Sequence, residues 1–332
     1  MKRPLISICV PTYNGENYLI DMFNSLLSQN FQDFEIIVSD DKSTDNTINL
    51  LKNVKDPRLK IFQNDENLGY GKNIQRLWKR ATSDIIFLMG QDDILLKDAL
   101  LRTYNAFFLD ENIGAVTRPF YMFDNDIYTP VRAIRPYDVS KDSVISIFDG
   151  EKVFNKIFES VGQLSGLAFR KEFINIDFHE DTFPAHIYPF ASIAKKHKVV
   201  FLKDYTVAAR IISSQTRFKP SIYDISPTYT WVRMFETVFA ENDYKILRRI
   251  GIKQISKNFV GLFQIKNYST IKNLFREILL LVKYWPLNLI DPRFWFFAFI
   301  VIFTPRKLLI KLVDYYKNNL LSKRLRDIKV NL

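Results

Sequence analysis

Ile85-Ile86-Phe87-Leu88-Met89-Gly90-Gln91-Asp92-Asp93 is an apolar run that ends on two adjacent carboxylates. Its length and composition are those of a strand buried on both faces, as strands of parallel sheets are. Two carboxylates at the end of such a strand repel each other unless a cation or a hydrogen-bonding ligand compensates. A hard divalent ion meets that need, because Mg2+ binds through one or two carboxylates together with phosphate oxygens. Helix capping is the competing reading, since acidic residues are common just before a helix start such as Leu95-Leu96-Lys97.

Outward from this run, the pattern predicts strands at 5–10, 34–39, 59–63 and 84–89, and helices at 18–29, 44–53, 71–82 and 96–110. That alternation is the signature of an α/β fold with parallel strands and crossover helices. Ligands of such sheets gather at the carboxyl ends of the strands. The residues there are Pro11-Thr12-Tyr13-Asn14-Gly15-Glu16, Asp40-Asp41, the stretch 64–67, and Gln91-Asp92-Asp93. Asp40-Asp41-Lys42-Ser43-Thr44-Asp45 also has a capping alternative, in which Ser43 or Thr44 with Asp45 starts the next helix. Both acidic pairs and the 11–16 turn nevertheless fall on one rim of the sheet, where together they form a polar cleft.

Further along, strands are expected at 114–122, 165–170, 198–202 and 205–212 and a helix at 150–159. After Pro220 the pattern becomes helical, basic and rich in aromatics. An apolar content of 47% over 332 residues is enough for a sizeable core and excludes a disordered chain. The net charge of +11 is unevenly placed: from Lys245 onward 18 Lys and Arg face 4 Asp and Glu, a surplus of 14, which leaves the first 244 residues at −3. A neutral-to-acidic body with a basic tail is therefore expected. Cys9 is the only cysteine, so no internal disulfide can form and a reducing compartment is favoured. The opening ten residues hold too short an apolar stretch for a signal peptide, which points to the cytoplasm.

Several pieces in order carry a family resemblance: Val10-Pro11-Thr12-Tyr13-Asn14, Ser25-Leu26-Leu27-Ser28-Gln29, the run from Phe34 through Asp40-Asp41 to Asp45, Asn67-Leu68-Gly69-Tyr70-Gly71-Lys72-Asn73, and Gln91-Asp92-Asp93. With this spacing over about a third of the chain, the sequence resembles an inverting family 2 glycosyltransferase of the GT-A fold. The resemblance implies that Thr12 and Tyr13 line the base and ribose of a nucleotide donor, with Pro11, Asn14 and Glu16 on the same turn. It implies that Asp41, with Asp40, accepts a hydrogen bond from the base. Lys72, where the family often has Arg, would face the diphosphate, with Asn67, Gly69 and Asn73 shaping its loop. Asp92 would contact ribose or metal and Asp93 would hold Mg2+ or Mn2+. Many relatives carry a further Asp where this chain has Gly90. Lys72 could equally be a solvated helix residue, and the two glycines could simply relieve a tight turn.

Family members usually supply the base from an acidic pair at the start of a helix facing the donor. Here Glu180-Asp181 has that composition, while the stretch leading into the next helix reads Ala185-His186-Ile187-Tyr188-Pro189. Asp181 is ranked first as base, then His186, whose ordinary pKa suits proton transfer, then Glu180.

The expected organisation is a GT-A domain over 1–218, divided into a nucleotide-sugar half at 1–110 and an acceptor half at 111–218, with a basic helical region at 219–332. No stretch of about 18 apolar residues is present to span a bilayer. The ten residues from Phe294 to Phe303 are apolar throughout and are followed by Thr304-Pro305-Arg306-Lys307. They suit an interfacial helix whose basic flank meets anionic headgroups, and equally a helix covered by its neighbours. Nucleic acid is disfavoured, because its aromatics would stand on an exposed basic surface rather than in one apolar run.

The expected function is transfer of a sugar from a nucleotide-diphosphate donor to a glycan or lipid-linked acceptor in cell-surface polysaccharide assembly, peripherally at the inner face of the cell membrane. A nucleotidyltransferase would instead carry a glycine-rich basic loop after the first strand. A catalytically silent, partner-binding relative is the reading from a different class.

Overall fold

The computed structural model describes residues 3–181, 183–211 and 220–330. They form two compact units, Met1–Ser213 with Leu325–Leu332, and Ser214–Arg324. The boundary expected between residues 218 and 219 lies outside the described residues. The last residues of the chain, expected to belong with the helical region, instead join the first unit, where Asp327 accepts from Arg135 Nη2 at 3.1 Å.

In the first unit the order is β1 (Ile6–Thr12), α1 (Leu19–Leu27), β2 (Phe34–Asp40), α2 (Thr47–Asn53), β3 (Leu59–Gln63), α3 (Tyr70–Lys79), β4 (Ile85–Leu88), β5 (Ile94–Leu95) and α4 (Ala99–Ala106). Then follow β6 (Ile113–Thr117), β7 (Phe120–Phe123), β8 (Pro130–Ile134), β9 (Ser143–Ile145), α5 (Glu151–Ser160), β10 (Ala168–Arg170), α6 (Ile187–Ala194), β11 (Lys198–Phe201) and β12 (Val207–Arg210). The main sheet runs β3-β2-β1-β4-β10-β6-β11-β9, and the smaller one β5-β12-β7-β8. β1 pairs in parallel with β2 and β4, and β2 with β3, so the first four expected strands do end on one rim. β10 enters antiparallel between β4 and β6.

Ile8, Val10, Ile36, Val38 and Phe87 form the middle of the core, and Cys9 is buried on the same strand as Ile8 and Val10. At the opposite, amino-terminal end of these strands Glu35 accepts from Ser7 Oγ, from Thr82 N–H at 2.8 Å and from Lys60 Nζ at 2.6 Å. Burial opposes its charge, yet these donors hold its pKa below the ordinary carboxylate value. One buried carboxylate thus ties β1, β2 and β3 to the turn before β4.

The expected strand at 114–122 is two strands. β6 belongs to the main sheet and β7 to the smaller one, and the break falls at Arg118-Pro119. Proline lacks the N–H that a continuing ladder requires. Arg118 is buried at the corner, where Nη1 donates to Thr206 Oγ1 at 2.9 Å and Nη2 to Thr103 Oγ1 at 2.6 Å. The helix expected at 96–110 narrows to α4: Leu96 N–H still donates to the Thr206 carbonyl at 2.9 Å, extending the contact of β5 with β12, and Asp98 takes a left-handed φ of 62° before the helix starts. Of the strand expected at 205–212, residue 212 lies outside the described residues and the rest narrows to β12.

The second unit contains α7 (Pro227–Val238), α8 (Lys245–Ser256), α9 (Gly261–Tyr268), α10 (Ile271–Tyr284), α11 (Pro292–Phe303) and α12 (Arg306–Tyr315). Ser226, Thr270 and Asp291 cap α7, α10 and α11 by accepting from backbone N–H groups of the first turn. Among the described residues no helix is long and apolar enough to cross a membrane.

Candidate active site

The turn after β1 is sewn to its neighbours on both sides. Tyr13 and Gln91 bond reciprocally: Tyr13 N–H donates to Gln91 Oε1 and Gln91 Nε2 donates to the Tyr13 carbonyl, each at 2.9 Å. Asn14 takes a left-handed φ of 47°, donates its N–H to Ser43 Oγ at 2.9 Å and accepts from Thr44 N–H at 2.8 Å. Glu16 receives the N–H of Asn46 at 2.8 Å and gives its own N–H to Asp45 Oδ2 at 3.1 Å. Thr12 is buried, whereas Pro11, Tyr13 and Asn14 remain part-exposed along the rim. Asn14 and Glu16 therefore act first as framework for the turn that carries Tyr13.

The pair at the end of β2 is also bonded inward. Asp40 accepts from Ser43 N–H at 3.0 Å, from Gln63 Nε2 at 3.2 Å and from the Ser43 hydroxyl, which closes the turn after the strand. Asp41 accepts from Leu68 N–H at 2.9 Å, Gly69 N–H at 2.8 Å and Asn64 Nδ2 at 2.9 Å. A carboxylate has about four acceptor sites, and these three bonds take both sites of Oδ1 and one of Oδ2. Asn73 braces the same loop, donating to the Ser39 carbonyl at 2.9 Å and accepting from Asn64 Nδ2 at 3.0 Å. Asn67 is exposed beside it and accepts from Gly69 N–H at 3.1 Å.

Asp92 and Asp93 divide in orientation. Asp93 is only 2% exposed and accepts from Ser165 Oγ, Gln163 Nε2 and the Arg210 N–H, the last at 2.9 Å. Burial, and then the neighbouring Asp92, push its pKa up to about 8. Asp92 stays part-exposed at the rim. Arg210 Nε donates to the Asp92 carbonyl at 3.3 Å and Nη2 to Asp21 on α1 at 3.0 Å. Its guanidinium also lies over the rings of Tyr18 and Phe123. A Cβ built on Gly90 would stand 2.8 Å from Asp93 Oδ2 and 3.2 Å from Asp92 Oδ1, so the further carboxylate of many relatives has no space here.

Lys72, on the first turn of α3, is exposed and forms an ion pair with Glu180 at 3.3 Å. The loop at 179–181 packs directly on that turn: a Cβ on Gly71 would come within 2.3 Å of the His179 carbonyl oxygen. Close approach is thus the reason for glycine at 71. Asp181 is nearly closed off, with Tyr188 OH donating to its Oδ2 at 3.3 Å and His179 Nδ1 lying 3.4 Å from the same oxygen.

His186 is buried, only 5% exposed. Its Nε2 is 3.0 Å from the Val161 carbonyl, which can only accept, so Nε2 carries the proton and Nδ1 accepts from Tyr70 OH at 3.0 Å. Burial lowers its pKa to about 4. With both nitrogens engaged inside the protein, His186 is withdrawn as a candidate base in favour of the 180–181 pair.

Sequence reasoning missed Gln91 as the clamp on Tyr13, and Gln163, Ser165 and Arg210 as the shell around the acidic pair. Each reaches its partner from 70 to 118 positions away, and no local pattern records such pairings. The unusual residue in β12, an arginine closing an otherwise apolar Val207-Ala208-Ala209, was the one visible signal.

For a metal, the donor set supplies its own test. Burial first, and the neighbouring Asp92 second, raise the pKa of Asp93, and a divalent cation would offset the repulsion within this pair. Among the described residues no three His, Cys, Asp or Glu side chains converge as a cage. Asp92 and Asp93 therefore fit Mg2+ or Mn2+ only as a shared site completed by phosphate oxygens and water.

Residues 7–168 match the family model described as glycosyl transferase family 2. An uncharacterized glycosyltransferase of Haemophilus influenzae is 36% identical over 125 residues, 37% of this chain and 49% of that protein. The Staphylococcus aureus poly(ribitol-phosphate) beta-N-acetylglucosaminyltransferase TarS is 36% identical over 110 residues, covering 32% of this chain and 19% of its own length. The chain thus spans half or less of these relatives' lengths. The crystal structure of TarS 1–349 in complex with UDP superposes with a TM-score of 0.63 at 18% identity, over 98% of this chain and 92% of that one. The mannosyltransferase PcManGT from Pyrobaculum calidifontis, in complex with GDP-Man and Mn2+, gives 0.55 at 14% identity over 98% and 88%. These superpositions establish the GT-A fold, a mixed α/β sheet domain followed by a helical C-terminal region.

Proposed function

Residues 7–168 belong to glycosyl transferase family 2, and from that premise we propose that the chain is an inverting glycosyltransferase using a nucleotide-diphosphate sugar. Its acceptor is a glycan or a lipid-linked sugar in cell-surface polysaccharide assembly, and it works peripherally at the cytoplasmic face of the cell membrane. The observation that carries this reading is the convergence of Tyr13, the Asp41-pinned loop at 67–69, Lys72 and the Asp92-Asp93 pair on one rim, with Glu180-Asp181 packed against the same helix start. The two solved neighbours were captured with UDP and with GDP-Man and Mn2+, which supports a nucleotide in that cleft.

In this reading Tyr13 lines the nucleoside, held by its bonds to Gln91, and Asp41 offers its remaining acceptor site to the base. Lys72 leaves Glu180 to meet the diphosphate, a side-chain movement that the exposure of both groups permits. A divalent cation shared by Asp92 and Asp93 would neutralise charge developing on the departing diphosphate. One carboxylate of the 180–181 pair takes the proton from the acceptor hydroxyl as that oxygen bonds to the anomeric carbon, while the bond to phosphate breaks. One displacement inverts the carbon and needs no covalent enzyme intermediate. Orientation favours Asp181, which Tyr188 holds, and access favours Glu180.

Donor hydrolysis measured with a panel of UDP-, GDP-, CDP- and dTDP-sugars and Mn2+ or Mg2+ tests the proposal. Turnover of at least one donor is expected, with a loss of roughly a hundredfold or more in Asp92→Ala. A folded wild type inert toward the entire panel would instead support the silent, partner-binding reading, which the inward bonding of Asp93 favours.

A further inference from the structure

The second unit exposes an apolar surface that its own helices leave uncovered. On α11, Phe294, Ala298 and Val301 are buried, while Phe296 is 60% exposed, Phe299 54% and Phe303 73%. Spacings of three and four residues place these three rings on one stripe of the helix. The stripe is continuous with its surroundings: Trp295 lies 6.0 Å from Phe299 and Phe299 stacks on Phe303 at 5.8 Å. Trp295 also lines an apolar groove of about 540 Å³ with Leu279, Val282, Leu289 and Phe294, edged by Lys283. Exposed contiguous apolar surface on this scale marks an interaction site.

α12 repeats the arrangement. Leu308, Leu312 and Tyr315 are exposed at 49%, 53% and 62%, again at spacings of four and three. Arg306, Lys307 and Lys311 are exposed on the same helix. From Lys245 to the end the basic surplus is 14 charges. A single helix therefore carries rings and aliphatic chains beside exposed cations, in a segment with almost no acidic counterweight.

We propose that α11 and α12, with the groove beside Trp295, lie in the headgroup region of an anionic lipid bilayer, Phe296, Phe299 and Phe303 entering the acyl boundary while Arg306, Lys307 and Lys311 meet phosphates. Charge complementarity selects this occupant: a second copy of the chain would bring the same basic surplus against itself, whereas anionic headgroups neutralise it. Trp295 has the amphipathic character suited to the interface, its Nε1 already donating to the Leu289 carbonyl at 2.8 Å. The proposal deepens the peripheral attachment in the preceding reading and assigns it to named residues.

The full chain is mixed with vesicles of phosphatidylcholine alone and of phosphatidylcholine with phosphatidylglycerol, and the floated fraction is measured at low and high salt. Binding to the anionic vesicles, weakened by salt, is expected, with partitioning at least roughly tenfold lower for Phe299→Glu/Phe303→Glu and several-fold lower for Lys307→Glu/Lys311→Glu. The melting temperature of each variant verifies folding, which these exposed positions leave intact. Absence of wild-type binding to either vesicle, or binding unchanged in the Phe variant, overturns the proposal. So does a wild-type dimer in light scattering that the Phe variant dissolves, since the face then belongs to a second copy. Donor hydrolysis in solution is read on the same samples: vesicle binding without hydrolysis retains the surface and removes the enzyme reading, and hydrolysis without binding does the reverse.

Discussion

At the scale of single residues, the site depends on groups whose first duty is to other protein atoms. Gly71 illustrates the constraint, since its missing side chain lets the His179 carbonyl sit where a Cβ would be 2.3 Å away. Gly71→Ala is expected to cost about 1–3 kcal/mol in chemical denaturation and to reduce hydrolysis, because the loop bearing Glu180 and Asp181 must move outward. His186 makes a different prediction. The unfolded imidazole begins to take a proton near pH 6.5, the folded one only near about 4. More protons are bound by the unfolded chain across that window, so stability falls as pH drops through it, by about 3 kcal/mol in all. In His186→Gln, stability measured against pH should lose that portion of its slope. For the base, Asp181→Asn and Glu180→Gln should separate cleanly: the true base loses roughly 100- to 10,000-fold in turnover, and the other retains most of it.

At the scale of elements, β12 is the piece that turns an acidic strand end into a formed site. It lies parallel to β7 and antiparallel to β5, and Arg210 at its end touches Asp92, Asp93 and α1. Arg210→Gln keeps the backbone bond to Asp93 and removes the side-chain grip on the Asp92 carbonyl and Asp21. Mn2+ affinity in the presence of UDP, measured by calorimetry, should fall roughly tenfold or more, the usual cost of losing an outer-shell partner. An unchanged affinity would reduce Arg210 to a packing residue. Glu35 holds the other end of β1, β2 and β3, so Glu35→Ala should destabilise by about 2 kcal/mol without touching nucleotide affinity.

At the scale of the whole molecule, a bound nucleotide would add contacts across loops from four parallel strands, which side-chain bonds and a few backbone bonds such as Asp41 N–H to the Thr12 carbonyl already join. Anything that binds the folded state alone stabilises it by mass action, about 2.7 kcal/mol at a hundred times Kd. For a unit of this size the matching nucleotide with Mn2+ should raise Tm by roughly 5–10 °C, and the others by much less. The nucleotide that produces the shift identifies the base of the proposed donor, and loss of the shift in Asp41→Asn would tie that base to Asp41.

The strands and the rim were legible from the sequence because they follow local rules. Runs such as 34–39 and 84–89 are apolar enough to be buried on both faces, and the polar residues after each strand fall at its carboxyl end wherever the strand is placed. Sequence reasoning missed the break at Arg118-Pro119, because the β character of its neighbours made 114–122 look like one strand. What tertiary structure alone decided is which way each rim residue turns. Asp93 points inward because Gln163 and Ser165 arrive there from the turn before β10, and Arg210 from the end of β12. His186 is consumed by Val161 and Tyr70, while Glu180 and Asp181 are delivered to α3 by the fit against Gly71. A residue's chemistry is written in its own identity, but its availability depends on partners brought by folding from distant parts of the chain. Only the packed molecule reveals which donors and acceptors remain for a ligand.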